Sequence, residues 1–385
     1  MNEEPPASAS ESPRHPRMAG RESPSPTFSE SSPRPESRPA GDSRPDRDAS
    51  REDGQLELFA TQDRPGWRGE LRDAIRSGAL LLERLGLEAK QLSVLESTEF
   101  PVLVPEAYFS RIRHGDPRDP LLRQVLPIAD ELTDDVRFVN DPVQDLAARQ
   151  APGVLHKYDG RALLVVTGAC AVHCRYCFRR HFPYGAERVS QRAWRQTLDY
   201  LRGDDSIEEV LLSGGDPLTL GDESLGELLD DLESLSHLQR IRIHTRLPIV
   251  IPNRVTPELL DRLARGPTRK VVVVHANHAN EIDSAVERAL LDLAREVVLL
   301  NQSVLLSGVN DSVDALAELC ERLVASRALP YYLHLLDPVR GASHFDVSGE
   351  QGRALIEQLR GRLPGYAVPR LVREVPRAVG KTIIA

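Results

Sequence analysis

Beyond residue 160 the chain alternates short apolar runs with longer stretches in which apolar residues recur every three or four positions. Runs at 162–166, 209–212, 241–245, 271–275, 297–300 and 331–335 have the length and β-branched content of buried strands. Periodic stretches at about 192–202, 223–235, 256–265, 282–295, 311–327 and 348–361 predict amphipathic helices. Strands and helices in strict alternation build parallel βαβ units. Six such units, short of the eight that close a barrel, predict an α/β fold: a partial (β/α)6 barrel over residues 151–365, with its ligand site at the carboxyl ends of the strands. Upstream, Leu71, Ile75, Leu80, Leu81, Leu82 and Leu85 recur at helical spacing before Gly86, and a second periodic segment runs from Pro105 to Arg113. Residues 56–150 therefore read as a helical N-terminal region packed on the barrel. Residues 1–55 form a Pro-, Ser-, Arg- and Glu-rich extension whose first 50 positions carry only Met1, Met18 and Phe28 as large apolar residues. Such a segment cannot bury enough surface to offset its ordering entropy, so disorder is expected there. Residues 366–385 form a C-terminal segment ending in an isolated lysine.

Composition narrows the function classes. No stretch reaches the roughly 18 apolar residues of a membrane helix, and the N-terminus lacks the apolar core of a secretory signal, so a cytoplasmic protein is expected. The net charge of −9 argues against a nucleic-acid binder. With only four cysteines, three of them clustered, there is no disulfide framework and a reducing compartment fits. The fourth, Cys320, holds a helical apolar position and reads as core. Among 49 basic residues only Lys90, Lys157, Lys270 and Lys381 are lysines. A position that keeps lysine against this arginine bias is a candidate for needing an amine that deprotonates, which arginine cannot supply.

The candidate chemistry sits where the barrel mouth is expected. Directly after the first strand, Cys170, Cys174 and Cys177 stand at CxxxCxxC spacing. Three thiolates on one loop can hold an iron-sulfur cluster with one iron left open, since four cysteines normally complete such a cluster. Two other readings compete: the same positions share one helical face, where cysteine is ordinary core, and a zinc site could form with His173 or His181. After the second strand comes Ser213-Gly-Gly-Asp-Pro217, whose glycines permit close backbone approach to a ligand and whose acid can accept from an amine. The later strands end in His244–Pro248, His275–His278, Asn301-Gln302-Ser303 and Ser307–Asp311. Asn310 or Asp311 equally suits a helix N-cap. Lys381 is either an exposed tail residue or an amine able to form a Schiff base with pyridoxal phosphate.

The cysteine spacing resembles that of the radical S-adenosylmethionine (SAM) enzymes, in which the open iron chelates SAM and its reduction releases a 5′-deoxyadenosyl radical. Over about residues 65–385 the chain further resembles the lysine 2,3-aminomutases. The similarity is carried by Cys170–Phe182, Ser213–Pro217, Asn301–Leu306, Gly308–Asp311 and Gly380-Lys381. Through His156-Lys-Tyr158, Arg246–Ile251 and Tyr331-Tyr-Leu-His334 it looks most like the branch that prepares β-lysine for elongation factor P.

The resemblance implies the following roles. Cys170, Cys174 and Cys177 would ligate a [4Fe-4S] cluster with SAM on the fourth iron, and Lys381 would hold pyridoxal phosphate. Lys157, Tyr158 and Arg161 would face its phosphate, with lysine at 157 where better-studied members carry arginine. Ser213, Gly214, Gly215, Asp216 and Gln302 would contribute to cofactor binding, the Gly-Gly-Asp-Pro element toward the SAM amino group. Arg179 would pair with the substrate carboxylate, and Asp311 and Glu374 would hold the distal ammonium of lysine, Glu374 replacing an aspartate. The implied reaction converts L-α-lysine to (R)-β-lysine. Its implied partners are an electron donor such as flavodoxin or ferredoxin and, indirectly, elongation factor P and its ligase. The rival readings are an aminomutase for glutamate or another amino acid, a free-lysine aminomutase of metabolism, and a non-catalytic metal-binding protein.

Overall fold

The computed structural model describes residues 66–95, 98–185 and 191–385. The extension expected to be disordered lies outside the described residues. From Thr61 onward the chain forms one unit.

The N-terminal region is less helical than its periodicity suggests. It carries α1 (Trp67–Arg72), α2 (Gly78–Leu85) and two single turns, α3 (Glu106–Phe109) and α4 (Pro120–Arg123). Ser77 caps α2 by accepting from the Leu80 amide, and Gly86 ends it in the left-handed region at φ 66°. Prolines at 101, 105, 117, 120 and 127 then keep later helices from propagating. Extended segments fill the gap, tied by the bridges Ile75–Val104 and Val94–Ile128. This region is not a separate body: Trp67, Leu81, Leu85 and Tyr108 share one apolar core with barrel residues Leu164, Leu212 and Ile243.

Ten strands form a single open sheet in chain order. After β1 (Arg149–Ala151) and β2 (Val154–Tyr158) come β3 (Arg161–Thr167), α5 (Gln191–Arg202), β4 (Glu209–Gly214), α6 (Asp222–Glu233) and β5 (Arg240–Thr245). The chain continues through α7 (Leu247–Val250), α8 (Pro257–Ala264), β6 (Arg269–Val274), α9 (Ser284–Glu296), β7 (Val298–Leu305), α10 (Val313–Ala325), β8 (Leu329–Leu335) and α11 (Gly349–Arg360). It ends in β9 (Arg370–Arg373) and β10 (Thr382–Ile383). Each strand from β3 to β8 is parallel to the next, giving the expected six β/α units. β9 adds one further parallel strand beside β8. The flanking pairs β1–β2, β2–β3 and β9–β10 are antiparallel, and the sheet ends do not pair, so the barrel stays partial.

Each crossover helix buries a stripe at three- and four-residue spacing, such as Leu225, Leu229 and Leu232 on α6. Cys320 is core on α10, at 2% exposure. The α10 cap is neither Asn310 nor Asp311. Ser312 caps it by accepting from the Ala315 amide, while Asn310 is buried and bonds Leu306, Asn277 and Val304. Among the described residues no helix is long and apolar enough to cross a membrane.

Candidate active site

At the carboxyl ends of the strands lies a cavity of about 330 Å³. Its wall follows the two-residue strand period: Leu211 and Ser213 on β4, Arg242 and His244 on β5, Gln302 and Val304 on β7, and Tyr332 and His334 on β8 all face it. The intervening Asn301 and Ser303 face away and fasten β7 to the Ala276 backbone. Cys170, Cys174 and Cys177 line the same cavity as Lys381, although more than 200 residues separate them. Lys157, Tyr158, Arg161, Arg179, Ser213, Gly214, Gly215, Asp216, Gln302 and Glu374 are brought there too. Asp311 is not: it is exposed at the start of α10 and does not line the cavity, which corrects its expected place in the substrate pocket. The acid the fold supplies instead is Asp337, just past β8. Burial, then the charge of Glu374 working against that of Lys381, pushes its carboxyl up to about 6.

The cysteine loop is built by its charged neighbours. Arg175, fully buried, forks onto Glu131 at 2.7 and 2.6 Å and donates to the Phe100 carbonyl. Arg180 reaches the same Glu131 at 2.6 Å. His173 stacks on Phe100 and turns Nδ1 to the Pro101 carbonyl at 2.8 Å, and His181 faces the Arg340 carbonyl. Both histidines are committed to backbone carbonyls and neither lines the cavity shared by the three cysteines, which disfavours the zinc reading. Burial pushes the Cys177 thiol up to about 11 and raises that of Cys170 well above its usual value. These sulfurs are therefore suited to ionise against a cationic centre and not in its absence.

The glycines after β4 serve a close backbone approach. A Cβ on Gly215 would lie 2.2 Å from the Ala169 carbonyl oxygen, and one on Gly214, at φ 109°, would lie 2.6 Å from that of Thr167. Gly215 and Asp216 amides donate to those same carbonyls at 2.7 Å, so the Ser213–Pro217 loop is pinned directly to the cysteine loop. The Asp216 carboxylate is occupied: it accepts from Leu218, Thr245 Oγ1, Arg246 and Leu247 at 2.6 to 3.0 Å. It orders the loops around the site.

On the opposite wall, β9 and β10 form a hairpin in which Thr382 faces Arg373, so Lys381 stands across from Glu374. The Lys381 Nζ pairs with Glu374 Oε2, while Glu374 Oε1 accepts from the Tyr158 hydroxyl at 2.5 Å. Burial would raise the Glu374 carboxyl, but Lys381, Tyr158 and Lys157 together hold it below its usual value. Lys157 bonds Asp145 at 2.7 Å, and Asp145 also takes Arg179 Nε at 2.7 Å. Arg179 Nη1 donates to Ser213 Oγ at 3.0 Å. One chain of polar contacts thus runs from Lys381 to the β4 loop. Arg161 rests over the Tyr158 ring and, among the described residues, has no carboxylate partner. It is the cation best placed to take a phosphate. Lys270, by contrast, is buried against Glu233 at the other end of β6 and is structural.

Sequence reasoning missed Asp145 and Asp337, and it named His244 and His334 without giving either a role. His244 and His334 carry buried Nε2 atoms without a hydrogen-bond partner, and burial keeps both neutral. Unsatisfied polar atoms in such a lumen fit a cavity shaped around polar organic cofactors. The signal was present in the period-two spacing, which places positions 244 and 334 on the lumen face once the strands are fixed.

Comparison with known proteins agrees with this geometry. Residues 164–320 match the radical SAM superfamily. The chain is 43% identical to an L-lysine 2,3-aminomutase of Escherichia coli, over 84% of this chain and 95% of that protein. It is 44% identical to one of Haemophilus influenzae, over 83% and 95%, and 36% identical to one of Clostridium subterminale, over 82% and 77%. A site with three cysteines and a C-terminal lysine on one lumen, in a chain with this identity across 77 to 95% of the length of these relatives, places the chain in the L-lysine 2,3-aminomutase family of radical SAM proteins.

Proposed function

We propose that this chain is a radical SAM, pyridoxal phosphate-dependent aminomutase that converts L-α-lysine to (R)-β-lysine in the cytoplasm for attachment to elongation factor P. The carrying observation is the single cavity that joins Cys170, Cys174 and Cys177 to Lys381. Bound there, the cluster and SAM supply a carbon radical, and pyridoxal phosphate supplies a ring that spreads the spin while nitrogen moves from C2 to C3. The chain's own residues position and select. Lys381 offers the amine that holds pyridoxal phosphate, with Arg161 and Tyr158 on the phosphate. Lys157 stands behind them, its charge already met by Asp145.

Selection for a cationic substrate follows from Glu374. Its buried carboxylate is now neutralised by the Lys381 ammonium. Beside it Asp337 is a second carboxyl in the same cavity, and the distal ammonium of lysine is the cation this pair of acids would take. The same two acids disfavour glutamate, whose second carboxylate would meet like charge. At the other end Arg179 keeps Nη2 free of protein partners among the described residues, available to a substrate carboxylate. A low-potential flavodoxin or ferredoxin would deliver the electron.

The test is product analysis after anaerobic incubation of the reconstituted chain with SAM, pyridoxal phosphate, dithionite and either lysine or glutamate. β-Lysine forms from the first and no β-amino acid from the second. Lys381→Ala abolishes both product and borohydride-fixed pyridoxyl label while iron and sulfide are retained. Pyridoxyl label persisting in Lys381→Ala would overturn the assignment.

A further inference from the structure

Arg246 follows β5 and is 7% exposed, yet it contributes nothing to the substrate contacts above. Its Nη1 donates to Cys174 Sγ at 2.6 Å. Its Nη2 donates to Gln124 Oε1 at 2.7 Å and Glu281 Oε2 at 2.8 Å. The main chain is fixed as well, since the Arg246 amide donates to Asp216 Oδ2 at 2.7 Å. Glu281 is completely buried and is held by the Asn277 amide at 2.8 Å and Gln124 Nε2 at 3.1 Å. The aromatic faces of Tyr108 and Tyr176 flank the guanidinium at 5.5 and 5.8 Å. Arg246 Nε is buried without an acceptor. The side chain thus leaves one donor unsatisfied while Nη1 reaches the sulfur, an aim that filling space does not explain.

We propose that Arg246 and Glu281 form a buried charge pair that sets the reduction potential of the cluster through Cys174. This rests on the functional reading above, in which Cys174 is a cluster ligand. Reduction adds one negative charge to the cluster. A guanidinium bonded to a ligand sulfur stabilises the reduced form, and a carboxylate one residue further away opposes it. Arg246 and Glu281 are both buried, so solvent screens their charges only weakly. Arg246 is a positioning and tuning residue, not one that touches substrate. Because Asp216 holds its main chain, the same residue also ties the β4 loop to the middle cysteine.

The test is an EPR-monitored redox titration of the anaerobically reconstituted full chain, with iron and sulfide quantified in each variant. Arg246→Gln lowers the midpoint, reducing the ratio of reduced to oxidised cluster at a fixed potential at least tenfold, which is 59 mV for one electron. Arg246→Lys, which keeps the charge, recovers part of that shift. Glu281→Gln moves the midpoint in the opposite direction. If Arg246→Gln does not retain iron, the sign is read from the other two variants. A wild-type chain that binds no iron-sulfur cluster overturns the functional reading and this proposal with it. A wild-type cluster whose midpoint is unmoved in every variant that retains iron overturns this proposal alone.

Discussion

Asp337 illustrates how a single residue's environment assigns its role. Its sequence neighbourhood, Leu336-Asp-Pro-Val-Arg340, looks like a loop, and its chemistry is set by a cavity shared with Lys381, Glu374, Lys157 and Asp145. The folded carboxyl titrates near 6, above the roughly 3.9 of an unfolded aspartate. Between those values the folded chain holds a proton that the unfolded chain has released, so stability falls as pH rises through about 4 to 6. Asp337→Asn removes that loss. In urea unfolding of the cofactor-free protein, the variant is expected to exceed wild type by at most roughly 3 kcal/mol at pH 7, since cavity water screens part of the cost, and to match it near pH 4. Equal stability at both pH values would refute the assigned environment. Asp311 shows the converse. Its motif pointed to the pocket, but motif position does not say which way a helix start faces, and the Ser312 cap leaves Asp311 in solvent.

At the scale of elements, two short connections hold the site. The β9–β10 hairpin is closed by the backbone bonds Ile384 to Leu371 and Leu371 to Ala385, so the last four residues fix Lys381 against Glu374. Neither strand was legible in the sequence: β10 spans two residues, β9 four, and neither has enough alternation to register. The second connection is the seam between the cysteine loop and the Ser213–Pro217 loop. A Cβ at Gly215 meets backbone at 2.2 and 2.8 Å, which no rotamer change relieves. Gly215→Ala therefore separates the two loops, costing about 1–3 kcal/mol in unfolding. Because the change acts on the seam, SAM-dependent release of 5′-deoxyadenosine falls at least tenfold while lysine-free pyridoxal phosphate capture at Lys381 persists. Unchanged SAM cleavage would show that the seam does not order the site.

For the whole molecule, the sequence pattern carried most of the architecture. Five of the six crossover strands begin and end within two residues of their expected positions, because their apolar residues are bounded by polar turns. The one large overrun is β7, which continues to Leu305 across Asn301, Gln302 and Ser303, whose polar side chains hid the strand. The N-terminal region departed further. Its prolines cut the helices short, and its apolar positions join the barrel core without forming a bundle. The shared lumen was not legible at all in one dimension, since only the curvature of the sheet brings position 381 to the cysteine loop.

That shared lumen is the central claim, and it is tested most directly by hydrogen transfer between the two proposed cofactor sites. The reconstituted enzyme is incubated anaerobically with dithionite, pyridoxal phosphate, SAM and L-lysine deuterated at C3, and the recovered SAM and 5′-deoxyadenosine are examined by mass spectrometry. Deuterium is expected in the 5′-deoxyadenosyl group, because lysine bound in the cavity beside Lys381 lies within reach of a radical formed beside Cys174. SAM cleavage that yields only unlabelled 5′-deoxyadenosine would contradict the account.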